Sequence, residues 1–167
     1  QAPWRGTLAE DGGCLMNQCI HGIDLLRWMV GDEVDEVYGV TRQRFHDYLE
    51  AEDVGMAVIK FKNGVVGTVE GTVNVYPKNL EETLYLFGEK GTVKIGGTST
   101  NTIDVWDFSD VSQEDENTRG FQEETKNVYG NGHTSLYADM MEAIQDNREP
   151  YVNAAAGKNA LEIVLAI

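Results

Sequence analysis

Basic residues are scarce in this chain. Lys and Arg number 13 against 28 Asp and Glu, a formal net charge of −15 over 167 residues. A surface with that balance repels nucleic-acid phosphates and anionic lipid headgroups, so neither nucleic acid nor membrane is expected as a partner. Long hydrophobic runs are missing too, and no stretch approaches the roughly 18 apolar residues that cross a bilayer. Cysteine is confined to Cys14 and Cys19. Without a C-x-x-C pair there is neither a zinc knuckle nor a redox motif. At an i, i+5 offset near a helix start the two are not expected to bridge. A reducing cytoplasm is the simplest compartment. His21, His46 and His133 show neither H-x-x-x-H nor H-E-x-x-H spacing, so no metal site is expected. The opening residues QAPWRGT lack the basic and apolar regions of a signal peptide.

What is present suits a globular protein. Hydrophobic residues make up 41% and charged residues 25%, and the length suffices for one domain with a sizeable core. After Gly12-Gly13, the spacing predicts a helix from about Leu15 to Met29, stopped by Gly31. Strands are predicted over Val34–Arg44, Asp53–Lys62, Val65–Val75, Thr83–Phe87, Thr92–Ile95 and Ile103–Phe108. Asn63-Gly64 and the GEKG segment mark tight hairpins, so neighbouring strands should pair antiparallel. Residues 109–127 are acidic and aperiodic and read as a surface loop. Two helices are expected to close the chain, Thr134–Asp146 and Ala154–Ile167, with Leu136, Met140, Met141 and Ile144 on one stripe of the first. The order argues an α+β class: an open, mostly antiparallel β-sheet with helices packed on one face. The uncovered face carries Val, Thr and Tyr and is expected to serve as an oligomer interface.

The chemistry-bearing residues gather on the first helix. Asn17, His21 and Asp24 fall at i, i+4 and i+7, roughly along one face. His21 carries an imidazole, the side chain best suited to general acid or base work; the plainer reading is a ring satisfied by a carbonyl or by Asp24. Asn17 could cap the helix or hold a substrate hydroxyl. Asp24 could orient His21 or pair with Arg27. His133, just after GNG at a helix start, lies near backbone N–H groups that suit an anion.

Gly12, Gly13, Leu15, Asn17, His21, Asp24, Leu25, Leu26 and Trp28 resemble the start of the second domain of the Gfo/Idh/MocA oxidoreductases. The resemblance continues in order through EAEDVGMAVIKFKNGVVGTVEGT (50–72), LFGEKGTVKI (86–95), GNGHTSLYADMMEAI (130–144) and AGKNALEIVLAI (156–167). It implies the fold of the C-terminal domain of glyceraldehyde-3-phosphate dehydrogenase. It also implies that residues 1–167 form the C-terminal, substrate-binding and oligomerisation domain of an NAD- or NADP-dependent sugar dehydrogenase. The chain has no G-x-G-x-x-G, no β-α-β pattern and no Glu-Lys-Pro segment. The Rossmann domain and cofactor are therefore expected outside it, and this chain alone is expected to bind no cofactor and to be inactive. The resemblance makes His21 the proton-handling residue and Asn17, standing where many relatives carry Asp, a ligand of a substrate hydroxyl. Asn17, Gln18, Ile20, His21, Ile23 and Asp24 look more like the branch acting on nucleotide-activated amino sugars or uronic acids. Arg5 is similar to a substrate-contacting position there and would pair with a carboxylate or phosphate; Asp24 and His133 fall near the expected pocket. The expected assembly is a homodimer or tetramer through the open sheet face. The competing readings are a free-standing binding or assembly module of the same fold, and a hydrolase or isomerase using His21 with Asp24.

Overall fold

A computed structural model describes residues 3–31, 33–124 and 131–167. Two compact units emerge: residues 1–77 with 154–167, and residues 78–153.

In the first unit, β1 (Val34–Arg42), β2 (Val54–Phe61) and β3 (Val66–Thr72) form an antiparallel sheet in the order β1-β2-β3. Asn63-Gly64 makes the turn between β2 and β3: Gly64 N donates to Phe61 O, and Val65 N to the Asn63 side chain. Alternation along β2 sends Ala57, Ile59 and Phe61 inward and Met56, Val58 and Lys60 to solvent. Helices α1 (Ile20–Val30) and α4 (Ala154–Ala166) bury Ile23, Leu26, Ala160, Ile163 and Val164. Each large aliphatic side chain removed from water contributes about 1.5–3 kcal/mol. Gly31 ends α1 in the left-handed conformation, which glycine adopts without a steric penalty.

The start of the first helix departs from the regular period. Leu15–Cys19 form a π turn before α1 begins at Ile20. Its floor is a pair of cross-strand glycines, Gly55 opposite Gly71. A Cβ on Gly55 would lie 2.6 Å from Leu15 Cδ1, and one on Gly71 2.6 Å from Cys19 Sγ. Side chains at either position would push the turn off the sheet.

In the second unit, β4 (Leu84–Gly88), β5 (Gly91–Gly96) and β6 (Thr102–Phe108) form a second antiparallel sheet in sequence order. The expected antiparallel pairing and α+β class hold, with the strands shared between two three-stranded sheets. Here α3 (Gly132–Asp146) buries only Ala143, leaving Leu136, Tyr137, Met140, Met141 and Ile144 exposed.

The predicted loop is also corrected. Within the predicted loop 109–127, Gln113–Thr118 form a short helix, α2. A capping box starts it: Ser112 Oγ accepts from Asp115 N, and the Asp115 carboxylate accepts from Ser112 N. The acidic first turn Glu114–Glu116 complements the positive end of the helix. Residues 125–127 of that loop, and Gly130, lie outside the described residues. No helix among the described residues is long and apolar enough to cross a membrane.

Candidate functional site

The site is built where the chain enters its first helix. Gly13 brings the backbone against Glu52, whose carboxylate oxygens lie 1.7 and 2.0 Å from the place a Gly13 Cβ would occupy. From there Glu52 Oε1 accepts from Leu15 N at 3.0 Å, and Cys14 N donates to Glu52 O at 3.0 Å. Glu52, distant in sequence, thus satisfies the helix start. Asn17 caps nothing, because it lies inside the π turn.

Asn17 is tied to a different acid. Its Nδ2 donates to Asp11 Oδ1, and its Oδ1 accepts from Gln18 Nε2. The other oxygen of Asp11 accepts from Gly6 N at 2.7 Å. One carboxylate therefore joins the segment carrying Arg5 to the turn carrying Asn17. Arg5 is exposed, its guanidinium 5.4 Å from the Trp4 ring centroid. His21 is exposed and Asp24 half-buried. Among the described residues the side chains of His21 and Asp24 have no hydrogen-bond or ion-pair partner, so neither of the contacts offered for Asp24, with His21 or with Arg27, forms. A ring left in this way is available to a ligand. His133 occupies the first turn of α3 in the second unit, where Asn131, the residue before the helix, makes no side-chain cap.

Beside the site runs a segment that the sequence did not flag. Asp53 is fully buried, and its carboxylate accepts from the backbone N–H groups of Arg44 (2.8 Å), Phe45 (2.8 Å) and His46 (3.0 Å). The His46 ring adds a contact at 3.3 Å. Burial pushes the Asp53 pKa up. The Phe45 amide, the Asn74 side chain and the His46 and Arg44 amides outweigh it and hold the carboxyl well below the usual range. Asp11, Glu52 and Asp53 were missed because each acts on backbone donors brought in by folding. The nearest sequence signal is the acidic run Glu50–Asp53 after the QRFHDYL segment.

A groove of about 420 Å³ lies elsewhere on the first unit, lined by Arg27, Val37, Asn159, Glu162 and Ile163 among others. None of Arg5, Asn17, His21 or Asp24 lines it. With neither a histidine nor a cysteine in its wall, it carries no catalytic argument. Among the described residues no group of three or more His, Cys, Asp or Glu is placed to hold a metal ion.

An α+β domain whose histidine-bearing helix is entered through a Gly-Gly turn is the class that this geometry defines. Residues 1–94 match the GFO/IDH/MocA C-terminal domain, and the chain belongs to that family. The WlbA dehydrogenase from Bordetella pertussis, solved in complex with NADH and UDP-GlcNAcA, superposes with a TM-score of 0.87 at 38% identity. The match covers 99% of this chain and 47% of that one. The uncharacterized oxidoreductase YrbE of Bacillus subtilis (strain 168) is 30% identical over 100 residues, 56% of this chain and 28% of its own length. Myo-inositol 2-dehydrogenase of Thermotoga maritima is 28% identical over 102 residues, 58% of this chain and 29% of its own length. The chain thus spans about half of its structural relative, and the stretches matched in the curated relatives are under a third of their length.

Proposed function

We propose that residues 1–167 are the substrate-binding and oligomerisation domain of an NAD(P)-dependent dehydrogenase acting on a sugar hydroxyl, with a nucleotide-linked uronic acid as the substrate class. The observation that carries this reading is the likeness to WlbA along 99% of the chain, at 38% identity. NAD or NADP, when bound, would supply the hydride acceptor. The resemblance assigns its site outside this chain, and the chain alone should turn over no substrate.

The chain's own share is binding and proton handling. His21, exposed and unpartnered on α1, takes the hydroxyl proton. Asn17 cannot act as a base; it offers its remaining N–H and lone pair to a hydroxyl, with Asp11 fixing the amide's orientation. Arg5, next in sequence to the Gly6 amide that Asp11 accepts from, would pair with a substrate carboxylate or phosphate. Asp24 and His133 are assigned to substrate contacts on the strength of the resemblance. Assembly is assigned to the outer face of the first sheet, where Tyr38 stands opposite Val58 and Val40 opposite Met56, all exposed.

The test is His21→Ala in the full-length enzyme, assayed for NADH formation with a UDP-linked amino uronic acid. Loss of a positioned acid–base group should cut kcat by about 10²–10⁴. An unchanged rate would remove His21 from the mechanism.

A further inference from the structure

Two sulfurs converge beneath the π turn. Cys14 Sγ lies 3.7 Å from the Gly71 carbonyl oxygen. Cys19 Sγ sits 2.6 Å from the point a Cβ on Gly71 would occupy. Neither cysteine is in a disulfide. The helical register explains the meeting. In a regular α-helix residues i and i+5 are rotated about 140° apart, which was the reason to expect no bridge. In a π turn the hydrogen bonds run i to i+5, so these two positions stack one turn apart. A disulfide needs Cα atoms roughly 4.4–6.8 Å apart, and this is the helical geometry that lets i and i+5 approach that span. The thiols also differ in access: Cys14 is 4% exposed, whereas Cys19 is half-buried. The Cys14 thiol hydrogen-bonds to Cys19; this contact and burial push its pKa up, so it stays protonated while a reagent meets Cys19 first.

We propose that Cys14 and Cys19 form a peroxide-responsive dithiol that closes into a disulfide across the π turn. The Cys19 thiolate attacks hydrogen peroxide. An S–O bond forms, the O–O bond breaks, and hydroxide leaves to be protonated to water. Cys19 is now a sulfenic acid. Cys14 loses its proton and attacks the Cys19 sulfur; the S–S bond forms, the S–O bond breaks, and a second water leaves. Two thiols are oxidised by two electrons, and one peroxide is reduced to two waters. The bridge encloses Asn17, so oxidation locks the turn that presents it.

The experiment treats the full-length protein with hydrogen peroxide, alkylates the remaining thiols and maps the tryptic peptide Gly6–Arg27, which carries both cysteines. Its readout is a mass, so it stands apart from the catalytic reading. The expected result is loss of two hydrogens from that peptide, reversed by dithiothreitol, and closing faster in the native protein than in the urea-unfolded chain. Cys14→Ser should leave Cys19 trapped as a sulfenic acid by dimedone, and Cys19→Ser should leave Cys14 unmodified. The proposal is overturned if both thiols stay alkylatable, if the cross-links are intermolecular, or if unfolded chains close faster.

Discussion

A single buried carboxylate organises residues 44–46. Asp53 accepts three consecutive backbone amides, each of which would cost roughly 1–3 kcal/mol if left buried and unpaired. Asp53→Asn points an amide donor at those donors and should destabilise the first unit by several kcal/mol, read from urea unfolding. The pH dependence has a definite sign. The folded pKa lies below the unfolded value, so this stabilisation is full above about pH 4. It is lost as the pH falls through the lower folded value. The stability gap between wild type and Asp53→Asn should therefore narrow on acidification below about pH 4. A gap that is constant with pH would show that the Asp53 charge contributes nothing.

Two elements show how local chemistry overrides composition. Ser112→Ala removes the side-chain acceptor of the α2 capping box and should cost that helix about 1 kcal/mol. The indole N–H of Trp106, which donates to Asp115 at 2.9 Å, offers a local reporter. Its NMR resonance should shift in Ser112→Ala, and an unmoved resonance would mean that the box does not hold Asp115. The six strands were legible because alternation and the two hairpin turns leave a period-2 imprint, and their observed bounds fall within a few residues of those predicted. Helix α2 left no such imprint, since it buries no residue; its only signal was a serine three residues before an aspartate. The π turn was invisible for another reason: a change in hydrogen-bond register has no side-chain period of its own. In the candidate site the polar stripe of Asn17, His21 and Asp24 could be read from spacing. The acids around it could not: Glu52 meets Leu15 N only once segments 37 residues apart come together, and Asp11 reaches Gly6 N and the Asn17 amide through loop geometry that leaves no period in the sequence.

For the whole molecule the open question is what covers the outer face of the first sheet. Tyr38 is 72% exposed, Val66 62% and Met56 51%, in a row interrupted by Lys60 and Glu70. If that face joins subunits, Val58→Asp buries an unpaired charge at the contact. Light scattering of the full-length protein should then fall from a dimer or tetramer to a smaller species, with thermal stability reduced by dissociation. If instead the face is solvated, the change should stay within about 0.5 kcal/mol. Unchanged mass would rule out this face as the interface.

The cross-strand glycines Gly55 and Gly71 give that face a mechanical meaning. Elsewhere in a sheet a layer of side chains cushions one element from the next. Here the backbone of β2 and β3 touches the π turn directly, with Leu15 and Cys19 resting on bare Cα atoms. On the other side of the same strands stand Met56 and Glu70, the immediate neighbours of those glycines. A single thickness of main chain therefore separates the proposed subunit contact from the turn holding Asn17. A shift of a few tenths of an ångström imposed on one side has no compliant layer in which to dissipate. The proposed assembly face and the turn holding Asn17 share one stiff wall.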